Sequence, residues 1–293
     1  MTPFSRSIIA IMAVGTAWSW PAVASATQAT KIWETPGFKN PESALYDPDA
    51  GVLYVSNVNG EATGKDGNGF ISKVSPDGKV LVMEWATGLD APKGLARAGG
   101  KLYTADIDKL VEIEPVSGKI LNRYEAKNAK FLNDVAADAS GNVYVSDMAT
   151  NTIWRLANGA FEIFVSDGKL ESPNGLLADG DDLIVGSWGV MTDGMATKVP
   201  GHLKAVSFKD KSIRSLGTGT PIGNLDAVEP LGAGAYLVTD WVAGKVMRLG
   251  RDGTVQVLQT LGQGTADLGY DPGTGTAFIP QMKTGILYGF KVE

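Results

Sequence analysis

The sequence predicts an all-β fold, a six-bladed β-propeller, on three observations. They are short strand runs bounded by turns, a repeat of about 40–50 residues, and a spare strand near the start of the chain. Glycine is abundant, at 37 residues, and no long segment has a helical period. Runs of β-branched and aromatic residues between turn formers predict strands at 52–56, 101–105, 142–146, 182–186, 235–239 and 276–280.

Six segments share one layout, in which a polar residue begins a strand, a turn follows, and a second strand comes next. Their central residues are 51, 40, 41, 52 and 41 positions apart. A period of this length with four short strands per unit is typical of a propeller blade, so six units predict six blades. The segments are Pro41-Glu42-Ser43, Pro92-Lys93-Gly94, Leu132-Asn133-Asp134, Pro173-Asn174-Gly175, Leu225-Asp226-Ala227 and Ala266-Asp267-Leu268.

The two ends of the chain predict how the ring closes. The last unit supplies only three strands, near 268–270, 276–280 and 286–292. The run Lys31-Ile32-Trp33-Glu34-Thr35 precedes the first unit and has strand character. We expect this N-terminal strand to complete the last blade, because pairing removes two exposed sheet edges.

The first 26 residues have the order of a secretory signal peptide. Arg6 provides a positive start, residues 8–18 are apolar, and Ala24-Ser25-Ala26 fits an A-x-A cleavage site. We predict cleavage after Ala26 and a single propeller domain over 27–293, located in the periplasm or, alternatively, in the medium. An uncleaved membrane anchor is the competing interpretation. No later stretch predicts stable insertion into a membrane.

Composition restricts the partners and the chemistry. The formal net charge of −6 disfavours nucleic acid, which binds basic surfaces. Cysteine is absent, which excludes disulfides. With no cysteine and a single histidine, His202, a zinc or copper site is not expected. The mild acidity predicts no particular substrate, and the expected small-molecule substrate rests on a resemblance of motifs instead.

The repeat brings one polar residue per blade to the mouth of the central channel, where the inner strands begin. Glu42, Asn133, Asn174 and Asp226 then offer oxygen ligands from four blades. Oxygen ligands without nitrogen or sulfur suit Ca²⁺ best, or Mg²⁺ with more of its water retained. The competing interpretation is that each is a turn residue bonded to its own backbone.

These segments are similar to those of the SMP-30/gluconolactonase/LRE-like family of six-bladed propellers, and more distantly to diisopropyl-fluorophosphatase and paraoxonase. The matching motifs are Pro41-Glu42-Ser43, Leu132-Asn133-Asp134, Ser172-Pro173-Asn174-Gly175-Leu176 and Asn224-Leu225-Asp226. The resemblance implies a divalent metal, usually calcium, held by Glu42, Asn133, Asn174 and Asp226. It also implies hydrolysis of lactones, with Asn133 contacting substrate and Asp226 acting as general base or as nucleophile.

The chain departs from that family in two places. Sugar-lactone hydrolases of the family have an arginine just before the asparagine of the third blade, where this chain reads Lys130-Phe131-Leu132-Asn133. Recognition of a polyhydroxylated sugar is therefore in doubt. Lys93 is the second departure: it binds an anionic group of the substrate, or opposes the metal by charge repulsion, or extends outward into solvent.

Two long loops, 58–69 and 188–201, are expected to border the channel mouth. Trp188, Met191 and Met195 of the second loop form an apolar wall for substrate, or else they pack between blades. His202 either faces the channel mouth or is an uninvolved loop residue. Trp241 is expected to be a structural blade residue. Glu229 either helps to position Asp226 or is a blade residue that faces solvent. The third unit's Ser146-Asp147 is expected to be structural.

Two functions from different classes agree with these observations. The first is an exported, calcium-dependent hydrolase of lactones or related esters, with Lys93 and Trp188 among the substrate-binding residues. The second is a non-catalytic binding propeller, with or without a structural calcium, because the fold alone hosts both kinds of work. A strictosidine-synthase-like activity is a third.

Overall fold

The computed structural model describes Met1, residues 28–232 and residues 234–292, and the predicted signal peptide, apart from Met1, lies outside the described residues. Within the described part, six four-stranded antiparallel sheets follow one another in a closed ring, which confirms the predicted six-bladed propeller. No helix among the described residues is long and apolar enough to span a bilayer.

Each blade is a meander of four strands that runs outward from the channel. Blades 1 and 2 are β2 (Pro41–Asp47), β3 (Val52–Asn57), β4 (Gly69–Val74), β5 (Val80–Leu89), β6 (Pro92–Ala98), β7 (Lys101–Asp106), β8 (Lys109–Ile113) and β9 (Ile120–Glu125). Blades 3 and 4 are β10 (Leu132–Ala137), β11 (Val143–Asp147), β12 (Thr152–Ala157), β13 (Ala160–Ser166), β14 (Pro173–Asp179), β15 (Asp182–Ser187), β18 (Leu203–Ser207) and β19 (Ile213–Ser215). Blade 5 is β20 (Leu225–Pro230), β21 (Ala235–Asp240), β22 (Lys245–Gly250) and β23 (Val255–Thr260).

The sixth blade combines both ends of the chain. It contains β24 (Gly269–Asp271), β25 (Thr276–Gln281) and β26 (Ile286–Val292), and its outer strand is β1 (Ala29–Pro36). β1 pairs with β26 in antiparallel register from Ala29↔Val292 to Pro36↔Ile286. The predicted closing strand is therefore confirmed.

Position within the blade explains the apolar pattern of each strand. The second strand of every blade is packed between neighbouring blades, so all six residues of β21 are buried and the strand reads as a continuous run. The outer strands have one face in solvent, and β23 accordingly alternates between exposed and covered residues. Hydrophobic clusters fill the wedges between blades; the cluster between blades 2 and 3 includes Leu110, Leu132 and Trp154.

Blade 4 carries the main addition to the ring. A 3₁₀ helix, Gly168–Leu170, precedes β14, and a two-stranded hairpin interrupts the blade between β15 and β18. The hairpin strands are β16 (Gly189–Met191) and β17 (Thr197–Pro200). Asn224 ties the hairpin to blade 5, because its Nδ2 donates to Trp188 O at 2.8 Å and to Thr197 Oγ1 at 3.0 Å.

Candidate active site at the channel mouth

A β-bulge at the start of each inner strand aims the recurring polar side chain into the channel. In five blades the residue before the polar one pairs with the last residue of the second strand, and the register then shifts. These pairs are Pro41↔Asn57, Pro92↔Asp106, Leu132↔Asp147, Pro173↔Ser187 and Leu225↔Asp240. A bulge of this kind re-aims the side chains that it contains. The sequence repeat therefore becomes a ring of side chains.

The sixth blade differs from the sequence expectation by one residue. Its bridge Thr265↔Gln281 is followed by the pair Gly269↔Phe278, so Ala266 takes the position of Glu42. Asp267 corresponds to Ser43, one residue further along. The sequence carries a signal for this register, because Tyr-Asp-Pro occurs at 46–48 and again at 270–272, four residues after each bulge position.

The five remaining ring residues line one cavity of about 210 Å³. Its polar side consists of Glu42, Lys93, Asn133, Asn174 and Asp226. Its apolar side consists of Ala62, Phe131, Trp188, Met195, Trp241 and Met282. The structure thus brings together all six side chains that the sequence singled out for binding or catalysis, while the roles assigned to them stay predictions.

Asn174 and Asp226 form the most ordered part of the polar side. Asn174 Nδ2 donates to Asp226 Oδ1 at 2.8 Å and to Leu225 O at 3.1 Å. Both donor hydrogens are therefore used, and Asn174 Oδ1 is a buried oxygen without a hydrogen-bond partner among the described residues. Glu42 Oε2 is buried without a partner in the same way. Two unpartnered buried oxygens on one cavity are unusual and cost folding free energy, because buried polar atoms normally have hydrogen-bond partners.

The carboxyl groups of the site oppose each other's ionisation. Burial raises the pKa of Glu42 well above its ordinary value, the charges of Asp226 and Asp267 raise it further, and Lys93 lowers it. Burial likewise raises the pKa of Asp226, with the charge of Asp267 next, while the hydrogen bond from Asn174 lowers it. A cation between these groups would favour their ionised forms.

The donor set fits a hard divalent cation. Glu42, Asn174 and Asp226 offer carboxylate and amide oxygens, and two of those oxygens have no other partner within the part of the chain that the structure describes. Asn133 Nδ2 donates to Met148 Sδ at 3.2 Å, which directs its amide nitrogen away and leaves Oδ1 for a ligand. Among the described residues, no group of three His, Cys, Asp or Glu side chains is placed to hold a metal. Any metal at this cavity therefore depends on the amide oxygens, which are ligands that Ca²⁺ accepts readily.

Lys93 is held at the cavity and does not extend into solvent. Its side chain is 2% exposed, and Nζ donates to Ala62 O at 2.8 Å and to Ala91 O at 2.9 Å. The ammonium also lies 4.9 Å from the centroid of the Phe131 ring. Burial lowers the pKa of Lys93 to about 8, although the charges of Glu42 and Asp106 raise it. The outward orientation considered from the sequence is wrong, because the stem has no exposed path and the ammonium fastens loop 58–69 to blade 2.

Both long loops border the cavity, as the sequence predicted. Ala62 comes from the first loop, and Trp188 and Met195 come from the second. Trp188 Nε1 donates to Met195 O at 2.9 Å, and its ring lies 6.0 Å from that of Trp241. Trp188 is therefore both buried and part of the cavity wall. Met191 lies on an adjoining cavity of about 230 Å³ that shares Met195.

The structure adds contributors that the sequence reasoning missed. Trp241 was expected to be structural, but it lines the cavity together with Phe131 and Met282. Trp241 and Met282 each directly follow the second strand of their blade, as Trp188 does, so this position repeats along the chain and could have been found from the sequence. Phe131 lies just before β10 and has no such signal. The expected structural role of Ser146-Asp147 agrees with its contacts, because Ser146 Oγ accepts from Asp134 N at 2.9 Å and Asp147 accepts from the backbone N–H of Phe131 at 3.1 Å.

A second set of polar side chains lies one residue further along the inner strands. Ser43 Oγ donates to Asp267 Oδ2 at 2.5 Å, and Asp134 Oδ2 accepts from Leu176 N at 2.6 Å. Each contact joins two neighbouring blades. Burial raises the pKa of Asp267 to about 7, against the lowering effect of the Ser43 hydrogen bond. This set fastens neighbouring blades together beneath the cavity.

Two further titratable residues lie outside the cavity. His202 Nε2 is 2.9 Å from Ser215 Oγ, and burial followed by the charge of Lys204 lowers the pKa of His202. His202 is not among the residues that line the cavity, and its expected lack of a role stays a prediction. Glu229 is half-buried on β20, not a fully solvated blade residue. Burial and then the charge of Asp267 raise its pKa to about 8.

Comparison with known proteins identifies the fold. No protein-family profile and no curated sequence matches the chain. A gluconolactonase from Xanthomonas campestris superposes with a TM-score of 0.67 at 15% identity, over 92% of this chain and 99% of that one. The calcium-binding protein regucalcin from Agrobacterium tumefaciens gives 0.67 at 17% identity, over 91% and 94%. A catalytically inactive virginiamycin B lyase from Staphylococcus aureus, solved with quinupristin, gives 0.60 at 15% identity, over 91% and 99%.

Identities this low show a shared fold and nothing further. The two structures with the higher TM-scores belong to the group that the motifs around Glu42, Asn133, Asn174 and Asp226 resemble. The chain therefore has the six-bladed propeller fold of the gluconolactonase and regucalcin structures.

Proposed function

We propose that this protein is an exported, calcium-dependent hydrolase of lactones or related esters. One observation carries the proposal: Glu42 Oε2 and Asn174 Oδ1 are buried on the same cavity without a hydrogen-bond partner among the described residues. A ligand that accepts lone pairs would explain why these oxygens are buried without a hydrogen-bond partner. A divalent cation is such a ligand, and the two neighbouring carboxyl groups supply the negative charge that it needs.

The calcium-binding neighbour supports the identity of the ion, as a likeness of fold only. The residues of this chain that would hold the ion are Glu42, Asn174 and Asp226, with Asn133 beside them. When bound, the ion would polarise a carbonyl and stabilise the negative charge that develops on its oxygen. No cysteine occurs and the single histidine lies elsewhere, so the oxygen-rich set does not suit zinc.

The chain's own residues supply the remaining steps. Asn174 fixes the carboxylate of Asp226 through Oδ1, which leaves Oδ2 to accept a proton from water as general base or to attack the carbonyl carbon directly. In the water reaction, the water oxygen bonds to the carbonyl carbon and the ring C–O bond breaks. The departing alkoxide receives the proton, so a lactone plus water gives one hydroxy acid. The walls of Trp188 and Trp241 exclude bulk water from the reacting group.

The non-catalytic binding propeller is the second candidate. Its favouring observation is Lys93, whose buried ammonium occupies the polar side of the cavity. A cation at that place opposes a bound metal and suits a site that captures an anion. The two candidates differ in one measurable property, which is turnover.

Export is supported by the sequence at 1–26 and by the start of the fold. β1 begins at Ala29, so cleavage after Ala26 would leave the closing strand complete. The expected outcome is a periplasmic protein whose first residue is Thr27, read by N-terminal sequencing after cell fractionation. A full-length N-terminus in the membrane fraction would instead support the anchor interpretation.

The metal part of the proposal is tested by thermal melting of chelator-treated protein during calcium titration. A ligand that binds only the native state must raise the melting temperature. We expect a saturable rise that Asn174→Ala abolishes and that Asn122→Ala, an exposed asparagine on β9, leaves unchanged. No rise with Ca²⁺ or other divalent ions would refute the metal-dependent mechanism.

The catalytic part is tested by turnover of a panel of lactones and aryl esters. Asp226→Asn keeps the side-chain volume and removes the base, so we expect at least a hundredfold loss of kcat with a retained circular dichroism spectrum. Unchanged turnover would remove Asp226 from the mechanism. A calcium-stabilised protein without turnover on any substrate would favour the binding propeller.

A further inference from the structure

Most of the hydrogen-bond donors that line the cavity already have partners. The donor hydrogens of Asn174 are used by Asp226 and Leu225, and Asn133 Nδ2 donates to Met148 Sδ. Trp188 Nε1 donates to Met195 O. The free acceptor oxygens, Glu42 Oε2 and Asn174 Oδ1, are those that the proposed cation would occupy. With the cation bound, a polyhydroxylated ligand would bury hydroxyl groups with few partners, and each unpartnered group costs on the order of 1–3 kcal/mol.

The rest of the lining is apolar and aromatic. Phe131, Trp188, Met195, Trp241 and Met282 surround the space above the polar residues. The two tryptophan rings meet at 51° and form a corner against which a flat ring can pack. Methionine side chains adapt to rings of different outline.

The volume restricts the size of that ring system. A dry cavity of about 150 Å³ holds one benzene molecule, and pockets for drug-sized ligands begin near about 300 Å³. At about 210 Å³, this cavity suits one ring with a small substituent or two small fused rings. A longer substituent would have to extend into the adjoining cavity of about 230 Å³, which shares Phe131 and Met195.

Lys93 adds a preference for negative charge. It is the single cationic residue among those that line the cavity, and two of its three N–H groups donate to Ala62 O and Ala91 O. The remaining N–H and the charge itself are available to a carboxylate. The ring-opened product of a lactone carries one carboxylate, so substrate and product both match the lining.

We propose that the site takes lactones or esters built on one or two small apolar rings, and that it rejects sugar lactones. This inference rests on the proposed function for its reaction, while the ring preference concerns binding and is measured separately. The specificity-determining side chains are Trp188, Trp241 and Met195, which form the apolar corner.

Calorimetric titration with two ring-opened acids tests the preference. The probes are 2-(hydroxymethyl)benzoate, the acid of phthalide, and gluconate, the acid of glucono-1,5-lactone, each with calcium and again with chelator. We expect the aromatic acid to bind at least tenfold more tightly than gluconate. Met195→Gln places a polar group on the wall and should weaken the aromatic acid about five- to tenfold. Leu81→Gln on β5 is the matched control, since Leu81 is 48% exposed and Met195 is 46% exposed.

The outcomes separate the two proposals. Gluconate binding as tight as the aromatic acid, absence of binding by the aromatic acid, or no effect of Met195→Gln would overturn the ring preference. Selective binding of the aromatic acid without turnover of phthalide or of any other lactone or ester in the panel would leave the ring preference standing and refute the hydrolase. Hydrolysis of glucono-1,5-lactone but not of phthalide would support the hydrolase and overturn the ring preference.

Discussion

Lys93 is a single residue that sets the charge of the cavity. Its buried ammonium faces the same space as Glu42 and lowers the pKa of that carboxyl. A cation so placed stabilises Glu42 when no metal is bound and repels a metal when one arrives. The net effect on calcium affinity therefore has a definite sign.

Replacing Lys93 with methionine should strengthen calcium binding. The variant keeps the length of the side chain and removes the like charge, and we expect a gain of about three- to tenfold in affinity, on the order of 1 kcal/mol. Isothermal titration of calcium measures the change. Lys209→Met, at an exposed lysine outside the cavity, is the control and should have no effect. Equal or weaker affinity in Lys93→Met would show that the charge does not oppose the ion.

Glu229 gives the metal-free protein a pH dependence. Burial, followed by the charge of Asp267, raises its pKa to about 8, whereas an unfolded glutamate titrates near about 4.3. Between these values the folded state holds a proton that the unfolded state has lost. Stability therefore falls as pH rises through that window. The other buried carboxyls of the channel shift in the same direction, so their effects add.

Glu229→Gln should remove the contribution of Glu229 to the loss of folding stability as pH rises. In urea unfolding of chelator-treated protein, the decline in stability from pH 5 to pH 8 should be shallower in the variant than in the parent. Glu84→Gln, on the exposed outer strand β5, should follow the parent. A variant curve parallel to the parent curve would mean that Glu229 is ionised across this range.

The bulged start of β14 shows how one element constrains another. Gly175 follows Asn174 at the bulge, and a Cβ built there would lie 2.0 Å from Asp226 O. Glycine is needed at this position for close approach of two backbones, because neighbouring inner strands nearly touch. The same approach lets Asn174 reach Leu225 O and Asp226 Oδ1.

Gly175→Ala should push β14 and β20 apart. We expect a loss of about 1–3 kcal/mol of unfolding free energy, as for other overpacked sites, together with weaker calcium binding because Asp226 moves. Gly168→Ala is the matched control, because a Cβ there meets no atom within 4 Å and φ is not positive. It should change stability by no more than about 0.5 kcal/mol. A mild Gly175→Ala effect would indicate that the inner strands tolerate separation.

Ring closure is a property of the whole molecule. β1 covers the edge of β26, and Trp33 links blades 6 and 1 because its Nε1 donates to Pro76 O at 3.1 Å while its ring stacks on Phe278 at 6.1 Å. Inner strands of the same two blades also pair, with Asp267 N donating to Glu42 O at 2.9 Å. Closure therefore positions Glu42 against the rest of the site.

Removing the closing strand β1 should destabilise the propeller and promote its aggregation. A protein that begins at Gly37 exposes the full edge of β26, so we expect aggregation in size-exclusion chromatography and a lower melting temperature. A protein that begins at Gln28 retains β1 and should behave as the monodisperse parent. A well-folded, calcium-binding protein without β1 would show that the inner contacts alone hold the ring.

The sequence by itself determined the blade number, the closing strand and the positions of Glu42, Lys93, Asn133, Asn174 and Asp226. It did so because a propeller repeats one local unit, and the same bulge recurs at the same place in five units. It placed the sixth unit one residue away from its true register. A bulge allows either of two adjacent residues to carry the polar group, and only pairing with β25 decides which.

Only the tertiary structure decided which apolar residues line the cavity together and which of its oxygens lack a hydrogen-bond partner. Phe131, Trp241 and Met282 come from blades 3, 5 and 6, and they meet only when these blades close into a ring. Glu42 Oε2 and Asn174 Oδ1 have no hydrogen-bond partner among the described residues. This state follows from contacts between blades, such as the hydrogen bond from Asn174 Nδ2 to Leu225 O, and these blades are distant in sequence. Local pattern specifies what each blade presents, whereas long-range packing specifies what those groups face.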